Sequence, residues 1–583
     1  TSRQALRVTG ERVFRPPPLS VPAVPCSAPE ALAHGAVALF VDHARAQDQG
    51  FSLGPHNTGA VVALCRRLDG LPLALQIAAG RLAMFGIDPL IDRLSDRFRL
   101  LTRGTQAGPR RHRSLRASMD ASHDLLTSTE RLVLRRLEPF EGGFTLDLVV
   151  TAMTDGDLDA WAVADALETL VDHSLVMVEA DERPRYRLSE NMRAYCQLLQ
   201  EEAGEIDTAR RQHAHAMTRL FERAERALHM MPDDRWLAEF APELPNVRVA
   251  LDWCLLNDPA TGIALLAHSR DLFELLVLSN EAQWRHAAFE SELPSSLPTT
   301  ALARYCIDHA HLLSDVHSAA AAAWFRRGVA LCRTANDPGL LYLALCRQVV
   351  EDRELSPAVM SDLIAEIAAL PEGERSARTR LWGLAAQAHL WALEGRGDEA
   401  GDALWGSMVL ATDIGAAGWL SDDLDRLMTL QIAHGQPLRV GGIVRQLVAG
   451  APEWPRRQAL VCLGVSMLAD GRLSEARELL TEFAEGWRSG SRERFERVAP
   501  AFAWLAFEEG RHDDAARLMG YAGRNRPGGA ASATAWRSLA LRLRSRLDSF
   551  RLYRLQREGA AWQEEDARAA ALSTASGMAV MVG

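Results

Sequence analysis

Two histidine pairs, His213/His215 in RRQHAHAM and His309/His311 in IDHAHLL, first suggest chemistry in this chain. Their i, i+2 spacing works against it. Both segments read as helix, where such residues point in divergent directions. No carboxylate or cysteine completes a tetrahedral metal set. The eight cysteines are scattered, form no CxxC pair and sit mostly among apolar helical residues. They read as buried free thiols of a reducing, cytoplasmic compartment, not a disulfide framework. All 65 basic residues are arginine. A phosphate-cradling GxxxxGK[ST] loop needs its lysine, so the chain contains none. It also contains no lysine general base or Schiff-base lysine. No GxSxG, HExxH or Cys-His constellation supports hydrolysis. The expectation is therefore a non-enzyme with no catalytic residues and no metal.

The elements that position these residues follow from length and pattern. At 583 residues with net charge −11, the chain calls for several soluble domains. No apolar run reaches the roughly 18 residues that span a bilayer, so no membrane partner is expected. The N-terminal TSRQALRVTGERVF has no initiator Met and no apolar h-region. It reads as a start within a longer protein, a C-terminal portion of it or the product of a truncated gene. Residues 1–26 are an extended segment and a proline-rich connector, RPPPLSVPAVP.

Residues 27–105 carry four helical patterns: PEALAHGAVALFVDHARAQ, NTGAVVALCRRL with Asn57 as N-cap, PLALQIAAGRLAMF and DPLIDRLSDRF. In LCRRLDGLPLALQIAAGRL, proline interrupts an amphipathic pattern. Interior proline costs about 3 kcal/mol, whereas proline in a first turn is nearly free. The spacing predicts two helices broken at Asp69-Gly70, with Pro72 opening the second. A basic linker, RGTQAGPRRHR, follows.

Residues 112–204 hold SLRASMDASHDLL, TSTERLVLRRLEPF capped by Thr127 or Ser128, and VADALETLVDHSL. Two short apolar runs flanking Asp181-Glu182-Arg183-Pro184 then predict a β-hairpin before ENMRAYCQLLQEEAGE returns to helix. Helices followed by a hairpin are the pattern of a winged helix. Residues 112–200 carry 9 arginines against 16 carboxylates, net −7. A DNA-reading module should be basic, so this chain is expected not to bind DNA directly.

Residues 205–583 are helical by period. EGRGDEA at Gly395, DGRLSEA at Gly471 and EGRHDDA at Gly510 share Gly-Arg-x-x-x-Ala, with a degenerate HGQPLRV at Gly435. The steps of 40, 36 and 39 residues exceed the roughly 34 of a tetratricopeptide repeat. Glycine should end one helix, and Ala400, Ala476 and Ala515 should be buried where paired helices cross. Arg396, Arg472 and Arg511 should be exposed. Such pairs stack into a TPR-like α-solenoid. The expected fold class is mainly α: a helical subdomain, a winged helix with a small β-hairpin, and the solenoid.

DGLPLAL resembles the GLPL motif of NB-ARC-type STAND proteins, which are signal-transducing P-loop ATPases. TSRQALRVTGERVFRPPPL, RFRLLTRG, RHRSLRASMDASHDLLTSTERLVLRRLEPFEGGFTLD, LVDHSLV, RYRLSENMRAYCQLL, RRQHAHAM and LQREGAAWQEEDARAAAL look like the ordered landmarks of one bacterial branch. That branch is the ATPases fused to winged-helix transcription regulators. The resemblance covers residues 1 to about 260 and, more loosely, the rest.

It implies that Leu71 and Pro72 face the adenine and that Arg3 reads the terminal phosphate, as a bidentate cation can. It also implies that Ser189 and Glu190 stand where many members have a His-Asp pair at the diphosphate, a departure from the pattern. Walker A and Walker B would lie upstream of Thr1. ATP or ADP is then expected only in a full-length context, and no cofactor for this chain alone. The implied partners are a protein or small-molecule signal on the solenoid, an upstream nucleotide-binding domain and an upstream DNA-binding domain. The alternative function is a nucleotide-free interaction scaffold.

Overall fold

The computed structural model describes residues 18–23, 26–48, 50–82, 86–92, 115–154, 158–179, 183–290, 293, 297–314, 317–434, 453–486, 495–523 and 538–573. Arg3, the linker at 103–113, the wing tip at Asp181-Glu182 and the degenerate corner at Gly435 lie outside them. The architecture is mainly α, with a two-stranded antiparallel sheet. The chain divides into two compact units, residues 1–220 with 242–261, and residues 221–241 with 262–583.

In the first unit, the pattern beginning at Pro29 forms two helices, Ala28–Leu32 and α1 (Gly35–Gln47), broken at Ala33-His34. Then come α2 (Thr58–Arg67) and α3 (Pro72–Ala79). Asn57 holds the N-cap position of α2, but its side chain serves the preceding loop, accepting from the Gly54 N–H and donating to the Ser52 carbonyl. Pro72 is in the first turn of α3, whose Ala74, Leu75, Ile77, Ala78 and Ala79 are buried.

The winged helix follows. Helix α4 (Ser128–Arg136) is closed by a reciprocal Thr127–Glu130 capping box. Helices α5 (Leu146–Met153) and α6 (Ala160–Asp172) are capped by Thr145 and Asp159. Strands β1 (Met177–Glu179) and β2 (Arg185–Arg187) pair Val178 with Tyr186, and Tyr186 also bridges Phe144. Helix α7 (Glu190–Ala203) ends on left-handed Gly204. A core of Val133, Leu134, Phe140, Phe144, Leu148, Leu167, Leu170 and Tyr195 lies between these elements.

The second unit is a run of helices, most packed on their sequence neighbours and several on the next but one. That nearest-neighbour pattern is how stacked helix pairs bury their faces. In chain order its main members are α8 (Pro259–Leu275, shared with the first unit), α9 (Ser279–Glu290), α10 (Thr299–Leu313), α11 (Ser318–Ala335) and α12 (Pro338–Glu351). After these come α13 (Ala377–Leu393), α14 (Gly397–Asp413), α15 (Ala417–His434), α16 (Glu453–Ala469) and α17 (Leu473–Glu485). The last are α18 (Phe495–Glu508), α19 (His512–Ala522), α20 (Ser549–Ala560) and α21 (Glu564–Leu572).

The three Gly-Arg-x-x-x-Ala corners are alike in geometry. Gly395, Gly471 and Gly510 have φ of +77°, +73° and +79°. The N–H of the following arginine reaches back five residues, at 2.8, 2.9 and 2.8 Å, to the carbonyls of Trp391, Met467 and Ala506. This closes each helix as a Schellman motif. The same arginine's carbonyl accepts the first N–H of the next helix, from Ala400, Ala476 and Ala515, and these alanines are fully buried.

Arg396 and Arg472 are exposed, as the pattern predicts. Arg511 corrects it. Its side chain is 9% exposed, because Glu509, Asp514, the Ala570 carbonyl and Ser573 Oγ surround it. The end of α21 folds back over this corner, and the repeat pattern carries no sign of that.

Candidate functional site

The GLPL corner is built by helix ends. Residue 69 occupies the left-handed position that closes α2, with φ +54° at Asp69 and +59° at Gly70. The Gly70 N–H reaches the Cys65 carbonyl at 3.1 Å and the Leu71 N–H reaches Leu68 at 3.0 Å. Leu71 is extended and half-buried, and Pro72 is exposed on the outer face of α3.

Two distant segments converge here. The Leu19 N–H donates to the Gly70 carbonyl at 3.1 Å, and Arg66 holds the Pro22 carbonyl at 2.6 Å. The proline-rich connector is thus tied along the corner. From the other side comes the start of α7. Ser189 Oγ caps that helix by accepting from the Met192 N–H at 3.1 Å. Two residues on, Asn191 donates to Asp69 Oδ2 from its backbone N–H (3.2 Å) and from its side-chain amide (3.0 Å). Asn191 is fully buried, and its Oδ1 has no hydrogen-bond partner.

Of the residues that resemblance singles out, Leu71, Pro72 and Ser189 are therefore brought to one joint, and Arg3 lies outside the described residues. The joint's own bond, Asp69 to Asn191, spans 122 residues of sequence. The available signal is a non-glycine residue at a helix-closing position, where Asp and Asn alone are well tolerated.

The winged helix is fastened internally by Arg135 to Glu205 (2.9 and 3.0 Å), Gln200 Nε2 to the Arg135 carbonyl (2.6 Å) and Tyr195 to Asp120 (2.8 Å). Helix α6, which directly precedes the hairpin, presents Trp161 (79% exposed), Asp165 and Glu168 to solvent and carries no arginine. That face offers phosphate no cation.

The histidine pairs diverge. His213 is buried edge-on to Phe140 at 4.7 Å, and burial depresses its pKa to about 3. His215 is half-exposed, 3.7 Å from Asp258. His309 stacks in a buried column with Tyr305 and His286, its Nε2 3.5 Å from Glu290, whereas His311 Nδ1 sits 3.0 Å from Glu351. His215, His309 and His311 face three different carboxylates, and among the described residues no three His, Cys, Asp or Glu side chains are placed to hold a metal ion.

The second unit contains an ionic cluster that sequence reading missed. Arg347, 1% exposed, donates to Asp308 at 2.6 Å and lies 3.6 Å from Glu351. Arg270 reaches Asp308 (3.2 Å), Asp271 (3.0 Å) and Glu274. Burial raises the Glu351 carboxyl, but Arg347 and then His311 outweigh it and hold it at about 2. Burial lowers His311, and Glu351 more than reverses that. The legible trace was Arg270/Glu274 and Arg347/Glu351 at i, i+4 on otherwise apolar helices.

Residues 126–201 match the winged helix-turn-helix domain family. A Mycobacterium tuberculosis (strain ATCC 25618 / H37Rv) protein provisionally named an HTH-type transcriptional regulator is 35% identical over 359 residues, 59% of this chain and 39% of its own length. A Mycobacterium bovis counterpart matches equally. An uncharacterized M. tuberculosis protein is 35% identical over 209 residues, 36% of this chain and 50% of its own. Among solved structures, a Pyrococcus horikoshii STAND protein with a tetratricopeptide repeat sensor aligns with a TM-score of 0.37 at 11% identity, over 91% of this chain and 72% of that one. The chain thus carries a winged helix-turn-helix domain, is homologous to these regulators, and spans less than half the length of the first of them. No described helix is long and apolar enough to cross a membrane.

Proposed function

We propose that this chain is the signal-responsive part of a STAND-type, ATP-dependent transcriptional regulator of the cytoplasm. In this reading the TPR-like helical unit senses a ligand or protein. The winged helix and GLPL subdomain transmit the event to the nucleotide state of the longer protein. The observation that carries it is the Asp69–Asn191 joint. It ties the corner that carries the exposed Pro72, proposed to lie against the adenine, to the start of the helix that Ser189 caps, Ser189 being proposed to approach the diphosphate. A ligand that binds two arrangements of such a joint unequally shifts their populations. The chain itself performs no catalysis in this reading.

Titration calorimetry tests it on two samples: this chain, and the longest natural product of its gene. The lysine-free chain is expected to bind ATP and ADP weakly or not at all and to turn over no ATP. The longer product is expected to bind and to lose affinity on Pro72→Glu. Micromolar binding with turnover by the chain alone overturns the proposal, as does a longer product indifferent to nucleotide. The chain is also expected to give no saturable, sequence-selective shift of duplex DNA at physiological salt.

A second reading, a nucleotide-free scaffold, is favoured by one surface. On α20, Phe550, Tyr553, Arg554 and Arg557 fall at i, i+3, i+4 and i+7 and are all exposed. Aromatic and arginine side chains of this kind dominate protein interfaces.

A further inference from the structure

We propose that the outward stripe of α20 is a docking site for an acidic amphipathic helix of a partner protein. The proposal rests on the reading of α20 as an interface and names the chemistry of the partner.

Helix α20 has two opposed faces. Leu552, Leu555 and Gly559 are buried on one. Phe550, Tyr553, Arg554 and Arg557 form the other, with Phe550 77%, Tyr553 62% and the Arg554 side chain 60% exposed. This stripe runs over two turns, about 10 Å along the axis. It is held firmly from behind. A methyl on Gly520 of α19 would run into the Gln556 backbone, and one on Gly559 into the Arg517 carbonyl. The two helices therefore cross backbone against backbone. Asp548 closes the start of α20, accepting from the Phe550 and Arg551 N–H groups at 3.0 and 2.9 Å. Arg551 and Glu558 tie its flanks to Asp513 (2.8 Å) and Arg517 (3.1 Å) of α19. A surface fixed before binding loses little freedom on binding.

The partner's charge follows from the cations. Residues 541–560 carry six arginines against two carboxylates, net +4 in a chain of net −11. Both carboxylates are engaged: Asp548 caps the helix, and Glu558 is shared between Arg517 and, at 3.6 Å, Arg554. Arg544, Arg546 and Arg557 are exposed, and among the described residues no carboxylate pairs with them. Arginine pairs with carboxylate through two parallel hydrogen bonds, and aromatic side chains beside it supply the apolar contact. The partner's form follows from shape. A convex stripe two turns long packs against another helix, whose Asp or Glu side chains meet Arg554 and Arg557 while its apolar side chains cover Phe550 and Tyr553. Single-stranded nucleic acid needs a groove that tracks its backbone. A membrane needs an apolar face to insert, and that face of α20 is turned into the core of the protein.

The test is fluorescence anisotropy of the whole chain with labelled amphipathic helical peptides about five turns long. They share a leucine and phenylalanine face and differ in a polar face of glutamate, glutamine or arginine. Saturable one-to-one binding is expected for the glutamate peptide, falling by about tenfold or more in Arg554→Glu/Arg557→Glu and by about tenfold in Phe550→Ala. Arg472→Gln, at an exposed arginine outside the stripe, should leave it unchanged. Absence of saturable binding of the glutamate peptide overturns the inference, as does equal binding of the glutamine peptide, or an affinity indifferent to the stripe substitutions. So does preferential binding of phosphatidylserine vesicles or of oligo-dT through these residues, or self-association of the chain that Phe550→Ala abolishes. Should a variant not fold, discrimination among the three peptides decides. A longer gene product that binds nucleotide would end the nucleotide-free scaffold reading and leave this surface standing. A chain that ignores the glutamate peptide would strike the surface and leave both functional readings as they are.

Discussion

The GLPL corner and the three Gly-Arg-x-x-x-Ala corners share one backbone device and use it differently. All four close a helix by a Schellman-type bond reaching back five residues. At Gly395, Gly471 and Gly510, glycine fills the left-handed position, and a methyl added there would meet nothing within 4 Å. At the GLPL corner, Asp69 fills it, where a side chain costs about 1–2 kcal/mol. A methyl on Gly70 would run into the Leu19 carbonyl. The repeat corners are turns that end one helix and begin another. The GLPL corner is a joint, crowded from one side and bonded from the other. Strain at Asp69 is retained where a glycine would remove it, and what glycine lacks is the carboxylate that Asn191 holds.

The sharpest break in this comparison is Gly70→Ala. It combines positive φ with a backbone collision and should cost about 3–5 kcal/mol locally, read as faster hydrogen exchange across residues 58–79. Gly471→Ala, strained but uncrowded, should cost about 1–2 kcal/mol. Equal losses would mean that the connector does not clamp the corner.

Next is the packing behind the repeat corners. Ala476 is fully buried in a cluster with Leu480, Phe483, Phe502 and Leu505. Ala476→Leu should cost about 1–3 kcal/mol through overpacking, seen as a lower melting temperature of the second unit. An unchanged melt would remove the size argument for the repeat.

The joint itself is tested by Asn191→Ala, expected to cost about 1–3 kcal/mol by leaving buried polar groups unmatched. Asp69→Gly should be nearer neutral, since relief of strain offsets the lost bond. Together they should show a coupling of about 0.5 kcal/mol or more in a double-mutant cycle. Strict additivity would mean that the two residues are neighbours without being partners.

Legibility in the sequence followed the range of the interaction. The proline-opened helix at Pro72, the cap at Thr127, the hairpin and the glycine-closed repeats are set by residues within a few positions; the pattern located each except the cap, which it left between Thr127 and Ser128. The break at Ala33-His34 was missed because Gly35 is tolerated in helices and only the Ser20 contacts to Gly35 and Ala36 mark the new start. Asp69–Asn191 and the Arg270–Asp308–Arg347 chain join residues separated by 38 to 122 positions. No local pattern encodes which helices meet. The candidate site was legible as motifs, and its chemistry lay in the contacts between them.

The smallest expected effect is also the most discriminating, because it compares two arginines at equivalent positions. Arg472 is 50% exposed and pairs with Glu475, on the same turn. Exposed pairs of this kind contribute about 0–1 kcal/mol, so Arg472→Gln should shift the melt by little more than the error. Arg511 follows the same kind of glycine but is enclosed by Glu509, Asp514 and the C-terminal end of α21 at Ala570 and Ser573. Arg511→Gln removes the cation that two carboxylates and a carbonyl share, although Arg477 still holds Glu509 and Arg517 still holds Asp514, and should cost about 1–3 kcal/mol. Its loss should appear first as hydrogen exchange in 564–572, the helix it tethers, before any change at α19. If both substitutions were silent, the enclosure of Arg511 would contribute no net stability, and its corner would behave as the exposed corners at Gly395 and Gly471 do.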